Sequence, residues 1–284
     1  MWSEACVQKL ATLRTEVELI VASDAMMRTA VALKQIWNLP FCLFHTTYDC
    51  FRDTKQLPVE TRSYVTNRWS LVQNASLNLH ATDPYFEGKI DTLSSRHRWI
   101  GPLFWEPTDF APSCLQDPGD PWVLLSSSLA PVAHDEDVAQ VVSEAIKTVA
   151  ARMIITGAAG IKSSRRIVRT KRFASHRRIL SRVRACICHA GHGTVMKSMA
   201  HGVPMVLIPS ARDQFGVAKR AEDCGVAIVI PPSNLSVATA HRAIKRVLSS
   251  STYRRGARAW AKRLRRMDAL VAAAAHLRQL VNAP

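Results

Sequence analysis

The feature that most limits the fold is a repeated alternation of short apolar runs with amphipathic stretches. From residue 122 onward, WVLLSS (122–127), RMIITG (152–157), RIVRT (166–170), ACICHA (185–190), PMVLIP (204–209) and VAIVIP (226–231) read as strands. Between them, 136–151, 192–201, 214–224 and 236–249 space their apolar residues by three and four, as helices do. A strand that is apolar throughout is covered on both faces, and crossover helices supply that cover. The expectation is an α/β fold built on a doubly wound parallel sheet. The stretch 253–280 reads as one or two further helices, with basic residues on a polar side.

The N-terminal half shows the same alternation with fewer strands. Helices are expected over 3–14, 25–37 and 58–76, and strands over 18–23, 41–46, 77–82 and 98–104. This half opens on a helix, whereas a complete doubly wound domain opens on a strand and a Gly-rich turn. Residues 106–121, EPTDFAPSCLQDPGDP, hold four of the fourteen prolines and suit an interdomain connection. Three parts are therefore expected: a first domain at 1–105, a linker at 106–121 and a second domain at 122–284.

Hydrophobic residues make up 48% of the 284, enough for a packed core and too many for a disordered chain. No apolar run reaches the length of a membrane-spanning helix. The start, MWSEACVQKL, carries Glu4 and no long apolar stretch, and does not read as a signal peptide. The seven cysteines (6, 42, 50, 114, 186, 188 and 224) are odd in number and irregularly spaced. They read as buried free thiols of a reducing compartment, so a cytoplasmic chain is expected. Alternation on a strand explains Cys186 and Cys188 better than zinc does, because no second ligand pair stands at zinc-site spacing.

Lys and Arg total 38 against 22 Asp and Glu, a net charge of +16. The excess is local: 162–184 hold ten basic residues and no acid, and 254–266 hold seven more. Such fields attract nucleotide phosphates, anionic lipid headgroups or nucleic acid, and a solvated Arg-rich surface reads equally well. The aromatic-and-basic interleaving that stacks bases is missing, which speaks against nucleic acid. Peripheral contact with the inner membrane surface stays open.

The chemistry is concentrated in 185–225, ACICHAGHGTVMKSMAHGVPMVLIPSARDQFGVAKRAEDCG. A buried strand ends at His189, Ala190-Gly191-His192-Gly193 make a turn, and a helix is expected to start near Thr194. Ligands of open parallel sheets bind at the carboxyl ends of the strands. The free N–H groups and dipole of a helix start favour a phosphate there. Gly191 and Gly193 let the backbone approach an anion closely, and His189 and the Thr194 hydroxyl add donors. The next strand delivers Ser210, Arg212, Asp213 and Gln214 to the same side. Asp213 and Gln214 together offer acceptors and donors suited to vicinal hydroxyls, although Asp213 also reads as a helix cap. A diphosphate site beside a hydroxyl-reading pair describes a nucleoside diphosphate sugar.

This segment resembles the donor signature of the family 1, UDP-glycosyltransferase-like enzymes of the GT-B fold. Within them it is most similar to the bacterial macrolide-type branch, whose pattern is close to HAGHGT…HGVP…P…RDQ. The resemblance is close over 122–230 and loose over 18–104. It implies two Rossmann-like domains facing a cleft: an incomplete N-terminal acceptor-binding domain and a donor-binding domain at 122–284. It implies inverting transfer of a hexose from a nucleoside diphosphate sugar to a hydroxyl of a small hydrophobic acceptor. No cofactor or metal is implied, since helix N-termini and His189 would stabilise the leaving diphosphate. By position, His189 matches the histidine on the diphosphate, and Gly193 and Thr194 match the phosphate-binding turn. Asp213 and Gln214 match the pair on the sugar hydroxyls. Ser127 and Ser128 match the loop closing on the phosphates. Phe173 falls where the family has an aromatic against the nucleobase, and His176 where it has Gln or His. Two departures stand out. Ser175 replaces a usual Pro, and Lys197 replaces a Glu that in many relatives binds the ribose hydroxyls. An ammonium group only donates.

In such enzymes a histidine near the N-terminus takes the acceptor proton, and an Asp holds it. VELIVASDAMM resembles the segment with that Asp, which makes Asp24 the catalytic candidate; it also reads as the N-cap of the helix 25–37. The region that would carry the matching histidine has no counterpart. His45 and His80 sit at strand ends and match no motif. Three accounts stay open: a fragment, a module that binds donor without turnover, and a chain completed by a partner. The alternative function is a non-catalytic nucleotide-sugar-binding protein.

Overall fold

The computed structural model describes residues 7–8, 10, 17–23, 26–47, 71–88, 95–106, 109–127, 135–157, 160–170 and 173–282. They fall into two units, Met1–Leu103 with Met267–Pro284, and Phe104–Arg266.

In the first unit, β1 (Ile20–Ser23), β2 (Phe41–His45), β3 (Leu77–His80) and β4 (His97–Trp99) form a parallel sheet in sequence order. Helix α1 (Met27–Trp37) follows β1. It buries Met27, Ala30, Leu33 and Trp37, a stripe at helical spacing, against Ile20, Ala22, Phe41 and Leu43. It stops at Asn38, whose left-handed φ of 52° turns its N–H back to the Lys34 carbonyl.

In the second unit six parallel strands take the order β10-β9-β8-β5-β6-β7. They are β5 (Trp122–Ser126), β6 (Arg152–Thr156), β7 (Ile167–Arg169), β8 (Ala185–Cys188), β9 (Met205–Leu207) and β10 (Ala227–Val229). Strands β5, β8 and β9 are buried at every residue, as their unbroken apolar runs require, while the edge strands β7 and β10 are half-buried. The helices are α2 (Asp135–Ile146), α3 (His176–Leu180), α4 (His192–Ala200), α5 (Gln214–Asp223), α6 (Val237–Ser249) and α7 (Ser251–Leu264). On one face Val123, Leu125, Ile155 and Ile187 meet Ala139, Val142 and Ile146 of α2 and Ala240, Ile244 and Val247 of α6. Helix α6 begins with a reciprocal Ser236–Thr239 capping box. Helix α7 buries Ala257, Trp260, Ala261 and Leu264 and exposes Arg255, Arg258, Lys262 and Arg263.

All ten expected strands are present; nine are trimmed within their expected bounds, and the one expected over 98–104 is instead His97–Trp99. The helix expected over 136–151 stops at Ile146, where Lys147, Thr148 and Val149 tighten into i→i+3 turns. The expected helices 3–14 and 58–76 fall mostly outside the described residues. Among the described residues no helix is long and apolar enough to cross a membrane.

One expected boundary is corrected. Residues 267–284 do not belong with 122–266; α8 (Ala269–Val281) is part of the first unit. Ala269 and Ala273, one turn apart, pack on Cys42, Leu77, Leu79 and Ile100. Methyl side chains allow a helix to lie close to a sheet. The approach is also fixed at Gly101, whose φ is 92° and where a Cβ would lie 2.8 Å from the Met267 Cβ. The division between the units also falls before the expected linker, so that Phe104, Trp105 and Glu106 belong to the second unit.

Candidate functional site

The chain enters the second sheet at its middle, winds outward through β6 to β7, then crosses back to β8 and winds the other way to β10. The winding therefore reverses between β5 and β8. At such a switch point the two connections leave in opposite directions and a crevice opens beyond the carboxyl ends. The register fixes what lies there. Ser126 is paired with Thr156 on one side and Cys188 on the other, and Cys188 with Leu207. The next residues along the chain, Ser127, Gly157, His189 and Ile208, thus stand in one row. Ser127 donates its N–H to the Thr156 carbonyl at 3.0 Å. A Cβ on Gly157 would lie 3.2 Å from the Ser127 carbonyl oxygen.

The turn after β8 is built around the His189 ring. Ala190 takes a left-handed φ of 61°, and Gly191 is the N-cap of α4. A Cβ on Gly191 would lie 2.5 Å from His189 Nε2, so the imidazole occupies the space a side chain would need. Around Gly193 the reverse holds: a Cβ there would meet nothing within 4 Å. The helix starts at His192 rather than near Thr194, because Gly191 already takes the extended capping conformation. The first intrahelical bond runs from Val195 N–H to the Gly191 carbonyl. The N–H groups of His192, Gly193 and Thr194 therefore have no acceptor within the helix. No acidic side chain sits in this first turn to offset the helix dipole. The arrangement is a positively polarised helix start beside His189, with Gly193 exposed and Thr194 half-buried.

Two further groups precede β8 in the chain. Phe173 is 60% exposed. Ser175, the residue in place of the usual proline, caps α3: its Oγ accepts from Arg178 N–H at 3.3 Å and its own N–H donates to the Phe110 carbonyl. His176 opens that helix, and its Nε2 lies 3.2 Å from Thr156 Oγ1, at the end of β6. Burial, and secondly the nearby Lys197 ammonium, hold the His176 imidazole below its usual pKa, with Glu106 opposing.

After β9, Asp213 and Gln214 stand at the start of α5. Asp213 is the N-cap by backbone position, but its side chain makes no capping bond. The preceding Arg212 has a left-handed φ of 55°. The expected role of Gln214 is narrowed. It is buried, and its Oε1 accepts from Ser210 N–H at 2.8 Å, Ser210 Oγ at 3.1 Å and Ala211 N–H at 3.0 Å. Its carbonyl is occupied in holding the loop.

A carboxylate absent from the sequence reading joins this group. Glu106 lies beside Lys197, with Lys197 Nζ 2.7 Å from Glu106 Oε1 and the two side chains only 18% and 15% exposed. Glu106 Oε2 accepts the His176 backbone N–H at 3.0 Å. The two residues are far apart in sequence, and no local pattern could have paired them. Asp24 and Ser128 lie outside the described residues. His45 and His80, to which the sequence assigned no role, are buried in the first unit. They stack on each other at 4.4 Å, and His80 stacks on Trp99 at 4.8 Å.

Comparison with known proteins agrees with this geometry. The family described as erythromycin biosynthesis protein CIII-like, C-terminal domain, matches residues 134–269. The chain is 28% identical to 4'-demethylrebeccamycin synthase of Lentzea aerocolonigenes over 215 residues, 72% of this chain and 49% of that protein. It thus spans about half the length of that relative. Among solved structures, the calicheamicin glycosyltransferase CalG4 superposes with a TM-score of 0.77 at 16% identity, covering 99% of this chain and 80% of that one. The spinosyn rhamnosyltransferase SpnG, solved with thymidine diphosphate, does so with a TM-score of 0.78 at 14% identity, covering 96% and 77%. Residues 134–269 thus match the erythromycin biosynthesis protein CIII-like C-terminal domain, and the chain has the GT-B fold of the solved structures on which it superposes.

Proposed function

We propose that the second unit binds a nucleoside diphosphate sugar and that the chain serves inverting transfer of its hexose to a hydroxyl of a small hydrophobic acceptor. The observation that carries this reading is the glycine-built helix start at the switch point, with no acidic side chain in its first turn, His189 folded over Gly191 and open space before Gly193. A diphosphate placed there takes N–H bonds from α4 and a further bond from His189. As the acceptor oxygen bonds to the anomeric carbon, the bond from that carbon to the diphosphate breaks. Charge then builds on the leaving oxygen, where the helix start is positive. No cofactor or metal ion is needed for that step in this reading. Asp213 accepts from the sugar hydroxyls, and Asp24 holds the group that removes the acceptor proton. The basic faces of α7 and of 162–184 add a second contact, with the anionic inner surface of the cytoplasmic membrane.

Isothermal titration of the full chain with UDP-glucose and dTDP-glucose, then an assay for released nucleoside diphosphate, tests the reading. His189→Ala and Asp213→Ala are each expected to abolish donor binding, and unchanged affinity in either would sink the site. Binding without turnover would favour the second reading, a non-catalytic nucleotide-sugar-binding protein. Liposome binding that is indifferent to salt would remove the membrane contact.

A further inference from the structure

We infer that Glu106, held in place by Lys197, is the acceptor that reads the ribose hydroxyls of the donor, so that the chain takes a ribonucleoside diphosphate sugar in preference to a 2'-deoxy one. The inference rests on the donor reading given above and names the nucleoside class of that site.

Position is the first argument. Lys197 lies three residues beyond Thr194 on α4, hence on the same side of the helix and about 4.5 Å further from its start. Glu106 also holds the first N–H of α3, and three residues before His176 stands the exposed ring of Phe173. Trp105, next to Glu106, is exposed as well. Helix start and carboxylate thus follow one another along α4, and the exposed aromatic residues stand next to the carboxylate and its His176 partner in sequence. A nucleoside diphosphate runs in the same order: phosphate, ribose, base.

Chemistry is the second argument. A vicinal diol needs an acceptor, and an ammonium group gives none, so Lys197 cannot read the ribose itself. A carboxylate has about four lone-pair sites. Here Oε2 has taken one N–H, from His176, and Oε1 faces the Lys197 ammonium. Lone pairs remain on both oxygens, and because Oε1 is buried against the ammonium group, Oε2 is the one that would meet a ligand. The Glu106 side chain is shielded from bulk water yet still 15% exposed, so a ligand reaches it and water competes poorly. A half-sealed ion pair of this kind contributes little net stability, because desolvation offsets the attraction. Its fixed placement is what a ligand would use. Lys197 also donates to the Trp105 carbonyl at 3.2 Å. That contact makes it the positioning residue, which anchors the 105–106 segment and holds the carboxylate in place.

The test is the ratio of affinities of the full chain for UDP and for 2'-deoxyuridine diphosphate, by isothermal titration. The native chain is expected to bind UDP about tenfold or more tighter, the usual cost of losing one hydrogen bond to a charged group. Glu106→Gln should bring the ratio to within about twofold and leave affinity for the deoxynucleotide unchanged. The charge-swapped double variant Glu106→Lys, Lys197→Glu returns a carboxylate to the same spot and should restore the preference. It also serves if Glu106→Gln does not fold. Equal native affinities, a parallel loss of both in Glu106→Gln, or a folded swap without preference would each overturn the inference, and Glu106 would be a structural latch. Failure of the native chain to bind either nucleotide would overturn the donor reading, and this inference with it.

Discussion

The His189 imidazole lies so closely over Gly191 that a single added methyl group would come within 2.5 Å of its Nε2. The obstructing atom is the far end of a side chain, and Gly191 itself has an ordinary φ of −61°. Gly191→Ala should therefore fold and displace the ring instead. A donor that relies on His189 is expected to bind about tenfold more weakly, or ~1.4 kcal/mol, with melting temperature nearly unchanged. A large drop in melting temperature with intact affinity would contradict this.

Gln214 separates a structural from a sugar-binding role. Gln214→Ala removes the acceptor of three donors in the 210–211 loop. The expected loss is about 1–3 kcal/mol in urea denaturation, since buried donors are left unmatched. Gln214→Glu keeps an acceptor and should recover most of that stability. If its amide also donates to the sugar, the Glu variant stays weak for UDP-glucose while binding UDP normally. Equal weakness for both ligands would mean that the loop alone matters.

Gly101→Ala tests the seat of α8. The position has a φ of 92°, and the new Cβ would meet the Met267 Cβ at 2.8 Å. Backbone strain and overpacking add, so a destabilisation of ~2 kcal/mol or more is expected. Limited proteolysis should show 267–284 cut first; a wild-type pattern would argue against the seat.

The second unit should weaken in mild acid. Burial, then Lys197, depress the His176 pKa, so the folded chain keeps that ring neutral where the unfolded chain, with the ordinary value of 6.5, takes up a proton. Where the unfolded state binds more protons, stability rises with pH. The His176 contribution is therefore lost as pH falls below about 6.5 and levels off below the folded pKa. Melting curves of native chain and His176→Gln, compared at about pH 7.5 and pH 5, should converge on the acid side. Parallel pH profiles would refute the assignment.

The parts legible in the sequence are those that repeat a period. Short apolar runs bounded by turn residues, such as ACIC and WVLL, suit a covered parallel strand, and both form one. Likewise, His189, Gly191 and Gly193 meet at a helix start because strand, tight turn and helix follow one another within a few residues. What could not be read depends on distant partners. Helix α3 spans five residues, three of them His or Arg, and shows no apolar period; its start is set by Ser175 and by Glu106. Gln214 looks like a ligand in sequence, yet the direction of its carbonyl is decided by Ser210. Helix α8 follows a polar helix and presents mainly alanines, whose small apolar contrast does not say which sheet they meet.

That return of α8 sets the order in which the chain can fold. The sheet of the first unit is synthesised early, but the surface of Cys42, Leu79 and Ile100 receives its cover from residues 269–273. At roughly 5–20 residues per second, synthesis of the intervening second unit takes on the order of ten to thirty seconds. The second unit, one uninterrupted stretch of chain, can close as soon as it emerges. The sheet of the first unit is thus finished after the second unit, and a ribosome stalled before residue 269 leaves an apolar sheet face for chaperones to shield.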